Sequence, residues 1–119
     1  MGVLCLSHKS LRMYRTRFGL DGLVEVHHVI PKSCASHAVV RLHEFDIDSP
    51  GNLALLPSVA GVKVLTLRPN RVVHMGGHLK YNTYVRSSLD MLDESPLAFA
   101  KLLAQLHHQI RRNASVPWN

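Results

Sequence analysis

Residues 23–33 read Leu-Val-Glu-Val-His-His-Val-Ile-Pro-Lys-Ser, and the reading of this stretch decides the fold. Its β-branched residues predict a short strand over Leu23 to Ile30, and Pro31, which has no N–H for a ladder, stops it. Neighbouring strand residues point to opposite faces, so His27 and His28 serve one spot only if the strand ends or bends there. Working outward, Asp46 to Asn52 (DIDSPGN) is dense in turn formers, and Leu53 to Leu56 reads as a second short strand stopped by Pro57. Further on, His74-Met75-Gly76-Gly77-His78 places two histidines at i and i+4. On a helix this spacing brings both imidazoles to one side, a geometry suited to one metal ion.

The rest of the chain supplies helices. Ser10 to Phe18 predicts a short helix or turn with Arg12, Arg15 and Arg17 on an exposed side, stopped by Gly19. Ser33 is placed to cap a helix from Cys34 to about Phe45, with Ala35, Ala38, Val39 and Leu42 on one face. Val62 to Leu67 fits an extra strand, followed by a turn at Arg68-Pro69-Asn70. A helical pattern runs from about His74 to Leu92, with Leu79, Tyr84 or Val85, Leu89 and Leu92 inward. Ser95-Pro96 opens a last helix to about Arg112, with Leu97, Ala100, Leu103, Ala104 and Leu106 inward and Arg111-Arg112 near its negative end. Residues 113–119 read as an extension, with Trp118 available to dock.

The expectation is an α+β fold in one domain over residues 1–119, since this length suits a single domain. A composition of 46% hydrophobic and 18% charged residues excludes a disordered chain. Its longest near-apolar stretch, Leu53 to Leu67, is interrupted by Pro57, Ser58, Gly61 and Lys63, which excludes a spanning helix and any membrane partner. Met1 to Ser7 lacks a basic leader, so no signal peptide is expected. Cys5 and Cys34 make no disulfide framework, which favours a reducing, cytosol-like compartment. A net charge of +6 points toward a polyanion, nucleic acid being the commonest. No Ser-His-Asp or Cys-His arrangement, phosphate-cradling glycine loop or Cys-x-x-Cys pair competes with the histidines.

Three pieces in order, VHHVIPKS at 26–33, FDIDSPGNLALLP at 45–57 and HMGGHLKYNTYV at 74–85, resemble the HNH, or His-Me finger, nucleases. The likeness is closest to the branch named for its Ala-His-His motif, often found as bacterial toxin domains. It covers about Leu23 to Leu92, with Val26 where the motif has alanine; the basic N-terminal segment and the last helix lie outside it. The resemblance implies a ββα-metal core at about 23–92, two short strands plus a ligand-bearing helix, flanked by further helices including one at about 96–112. It implies that His27, His74 and His78 are metal ligands and that His28 is the general base drawing a proton from water. Asn52 matches the asparagine that either ligates the metal or holds the base and loop. The implied cofactor is one divalent ion. Three imidazoles favour zinc or nickel by affinity, while magnesium or manganese often supports turnover in similar sites.

The expected activity is metal-dependent endonucleolytic hydrolysis of nucleic acid, DNA ahead of RNA, with little sequence preference. His28 needs its other ring nitrogen fixed, with a backbone carbonyl or Asn52 as the expected partner. Lys80, Arg86 and Arg71 are candidate phosphate contacts, and Arg12, Arg15 and Arg17 extend that surface. Tyr81 and Tyr84 read as packing residues, and His8, His37, His43, His107 and His108 as surface histidines. Two other settings fit the sequence. One is a non-catalytic, zinc-stabilised nucleic-acid-binding module; the other is a toxin domain neutralised by an immunity protein. A free-standing viral, phage or mobile-element nuclease is equally compatible.

Overall fold

The computed structural model describes residues 8–65, 72–74, 77–112 and 116–118. Among these residues the architecture is α+β, with five α-helices around a two-stranded antiparallel sheet. Strand β1 (Val24–His28) pairs with β2 (Leu53–Pro57) in a register that sets His27 opposite Ala54 and His28 opposite Leu53. The strand ends at His28, where the Val29 N–H donates to the Asn52 carbonyl. Both prolines act as expected: Pro31 follows the end of β1, and Pro57 is the last residue of β2.

Helix α1 (His8–Arg17) carries the basic segment. Arg15 is not free for a ligand surface there: its guanidinium donates to the Val24 carbonyl and lies 3.7 Å from Glu25. The helix expected over 34–45 breaks into a 3-10 turn at Lys32–Cys34 and a short α2 (Ala38–Leu42). The break arises because His37, not Ser33, caps α2: its Nδ1 accepts from the Val39 N–H and its Nε2 donates to Asp90. The buried face then falls on Val40, while Leu42 is exposed.

The extra strand expected at 62–67 is absent over its described part. Val59–Val64 is helix α3, capped by the Ser58 hydroxyl, which accepts from the Gly61 N–H. Val62 and Val64 are exposed, so their alternation reported no buried sheet face. Gly61 is required by packing, since an added Cβ would lie 1.9 Å from the Leu23 carbonyl oxygen.

Helix α4 (Leu79–Asp90) begins five residues later than expected. Its buried positions are Tyr81, Val85 and Leu89, while Leu79 is exposed. Helix α5 (Pro96–Arg112) opens as read, with the Ser95 hydroxyl accepting from the Ala98 N–H. Its core face is Phe99, Leu102, Leu106 and Ile110, rotated from the expected stripe; Leu97 and Ala100 are exposed. Two apolar stripes at helical spacing coexist in α5, and the one carrying Phe99 and Ile110 buries more surface. The core joins these helix faces to Val29, Ile30 and Leu56, all fully buried. Among the described residues, no helix is long and apolar enough to cross a membrane.

Candidate metal centre

The end of β1 fixes the first two histidines. His27 points inward and is 1% exposed, while His28, on the opposite face, is partly exposed. Because the strand stops there, both still border one cavity of about 200 Å³. His74 and His78 border it too, but not from one helical face as their spacing suggested. His74 lies in a non-helical segment whose N–H donates to the Pro57 carbonyl, and His78 is the residue preceding α4. Gly77, the residue before His78, also lies outside any helix.

One nitrogen from each of His27, His74 and His78 lies within 4.8 Å of the others. Ring centroids are 5.7 Å apart for His27–His74, 5.2 Å for His27–His78 and 5.6 Å for His74–His78. The donor set fits a divalent ion on one decisive observation: His27 Nε2 is buried and has no hydrogen-bond partner. A buried polar atom of that kind ordinarily has one. Burial, followed by the neighbouring His78 and His74, lowers the His27 pKa to about 3. Burial and His78 also push His74 down. Both rings therefore stay neutral near pH 7, the form that ligates metal. His78 Nδ1 is hydrogen-bonded to Asn82 Oδ1 at 2.8 Å, an acceptor, so Nδ1 carries the proton and Nε2 the lone pair.

His28 has a different partner from those expected. Its Nε2 donates to Asp48 Oδ1 at 2.9 Å. A carboxylate only accepts, so in the neutral ring Nδ1 is the basic nitrogen. Asn52 is committed elsewhere. Fully buried, its Nδ2 donates to the carbonyls of Ile30 (3.0 Å) and Ile47 (2.8 Å), and its Oδ1 accepts from the Ile30 N–H at 2.7 Å. These bonds tie the turn before β2 to the chain just past β1.

The candidate phosphate contacts are dispersed. Lys80 is exposed on the first turn of α4. Arg86 donates to the Ser33 carbonyl and so braces α4 against the 3-10 turn. Arg71 lies outside the described residues, while Lys32 borders the cavity directly. Tyr81 is buried packing, as read, and its hydroxyl bonds the Val29 carbonyl. His37, His43 and His107 are not plain surface residues. His37 caps α2, His43 packs on Phe99, and His107 donates to the Gly51 carbonyl.

Sequence reading missed Asp48, Asn82 and the position of Trp118. Asp48 was absorbed into a turn motif, and its pairing spans twenty residues. Asn82 did carry a signal, lying four residues after His78 at helical spacing. The Trp118 ring centre lies 5.1 Å from His27, 5.5 Å from His74 and 5.1 Å from His78.

Against known proteins, the family described as AHH, a nuclease family of the HNH/ENDO VII superfamily with conserved AHH, matches residues 9–114. This span takes in α1 and α5, which the motif resemblance left outside. No curated protein and no solved structure matches the chain.

Proposed function

The chain belongs to the AHH family of HNH/ENDO VII nucleases, and from that premise we propose that it is a divalent-metal-dependent endonuclease acting with little sequence preference, on DNA ahead of RNA. As a nuclease its substrate is nucleic acid. In this reading residues 1–119 act as one catalytic unit, and His27, His74 and His78 hold the ion. The observation that carries it is the set of three converging imidazole nitrogens, one of them buried without a partner, beside a fourth histidine oriented by a carboxylate.

When bound, a divalent ion supplies charge neutralisation at the phosphoryl group and the leaving 3′-oxygen. The remaining work belongs to side chains. Asp48 holds the proton on His28 Nε2, so His28 Nδ1 accepts a proton from the attacking water. Asn82 does the corresponding service for His78 by holding its Nδ1 proton and turning Nε2 toward the cluster. Asn52 positions rather than ligates, keeping the turn that bears Asp48 against the end of β1. Lys32 borders the cavity as a counter-charge for a flanking phosphate, and Lys80, exposed on the first turn of α4, adds positive charge to the surface, the sequence-independent part of binding. The products are a 5′-phosphate and a 3′-hydroxyl.

A structural zinc module has no use for a carboxylate-oriented histidine beside its ligands, so the His28–Asp48 pair favours the enzyme. Incubation of purified protein with plasmid, single-stranded DNA and RNA, across zinc, nickel, magnesium and manganese, tests the proposal. His28→Ala is expected to lose about 10²–10⁴-fold in cleavage while retaining metal. His74→Ala and His78→Ala weaken both. Wild-type cutting by His28→Ala protein overturns the assignment of the base.

A further inference from the structure

We infer that Trp118 is a positioning residue of the metal centre: its indole forms the closed back wall against which the three imidazoles are held. The inference deepens the proposed function and rests on it. It starts from the tail, which returns to the site although the family match ends at residue 114. Val116 is buried in the core and fixes the approach. The Trp118 carbonyl then accepts the Tyr81 N–H at 3.2 Å. That amide lies in the first turn of α4, where backbone N–H groups have no acceptor within the helix, and His78 offers no side-chain cap. The tail therefore caps α4 in place of His78. His78 keeps its ring for Asn82 on one nitrogen and for the cluster on the other.

The indole that follows from this anchoring contacts each member of the cluster. It meets His27 and His78 in tilted geometry and His74 edge-on, and it packs on Tyr81 at 5.4 Å. The cavity is bordered by His28, Lys32 and Asn82 as well as the three ligand candidates. Neither Trp118 nor Tyr81 borders that cavity. The imidazoles thus stand between an open face, suited to phosphate and water, and a closed aromatic face. Two consequences follow. Ring rotation away from a shared ion is blocked on the closed side, and water is kept from the buried edge of His27. Both raise metal affinity and slow release, as the surroundings of ligands do generally.

Trp118 is the sole tryptophan of the chain, so the same contact supplies a reporter. The experiment titrates the full metal-free chain with Ni²⁺, following tryptophan emission and, independently, uptake by chelator competition. Emission should be quenched and saturate at one equivalent. Trp118→Ala should weaken Ni²⁺ affinity by about tenfold or more and speed its release. Trp118→Phe, which keeps an aromatic wall, should recover most of both. Circular dichroism of the metal-free proteins reports whether each variant is folded, and a Trp118→Ala chain that fails to fold shifts the comparison to Trp118→Phe against Trp118→Leu. Wild-type affinity and release in the variant lacking the ring, or uptake without quenching, overturns this inference alone. Absence of Ni²⁺ uptake by the wild-type chain removes the metal reading and this inference with it.

Discussion

Replacing Asn52 by alanine removes an amide that serves three buried backbone groups at once: the Ile30 N–H, the Ile30 carbonyl and the Ile47 carbonyl. Leaving a buried polar group without a partner costs about 1–3 kcal/mol. Three such groups set an upper range of about 3–9 kcal/mol, and water entering the space left by the amide recovers part of it. We therefore expect Asn52→Ala to lose about 3–5 kcal/mol, a large share of the roughly 5–15 kcal/mol available to a domain. Urea unfolding of the metal-free protein measures this, with an unchanged slope showing that the midpoint shift is a stability change. Asn52→Asp sharpens the test. Its carboxylate still accepts from the Ile30 N–H but turns an oxygen toward two carbonyls, which raises its folded-state pKa. Its deficit should therefore grow as pH rises above about 4, the unfolded carboxyl value, whereas the alanine variant's should not. A metal-free Asn52→Ala protein within about 1 kcal/mol of wild type would refute the reasoning and return Asn52 to consideration as a ligand.

Three further outcomes follow from the same geometry. Gly61→Ala should destabilise by about 3 kcal/mol or more, because the added carbon meets the Leu23 backbone, whereas Gly77→Ala, with nothing within 4 Å, should change little; thermal melts compare them. Metal-free protein should lose stability as pH falls from about 6.5 toward 3, since unfolded His27 takes up a proton that the folded ring refuses until about pH 3. The loss is on the order of 4 kcal/mol, His74 and His107 act in the same direction, and a flat stability profile between pH 7 and 4 would contradict it. Adding a tightly bound divalent ion at about 100 times its dissociation constant should raise stability by about 2.7 kcal/mol. Excess chelator should abolish that gain together with cleavage, and His27→Ala should show neither; cleavage that persists in chelator would remove the metal from the reaction.

The two strands were legible because one is rich in β-branched residues and followed by Pro31 and the other is apolar and closed by Pro57, local signals that need no partner. The last helix was legible for the same kind of reason, an explicit serine–proline start. Face assignment within it was not, because both stripes of α5 are apolar and only the competition for core volume selects Phe99 and Ile110. The same limit explains α3. Its valines suit a strand by propensity, and the local Ser58 cap favours a helix instead, while the close approach of Gly61 to Leu23 is decided across the fold.

Residue identity and spacing alone supplied the histidine pair at a strand end, the i, i+4 pair, an α+β core and the family likeness, which in turn implied the candidate ligands. Tertiary structure decided how they are arranged. His74 lies in a non-helical segment held to β2 and His78 just before α4, Asp48 reaches His28 across twenty residues, and Trp118 packs on the cluster from a distant segment. The physical reason is range. Strand stops and caps depend on neighbours in sequence, whereas a hydrogen bond or ring contact between distant segments exists only after the core has fixed where each segment ends.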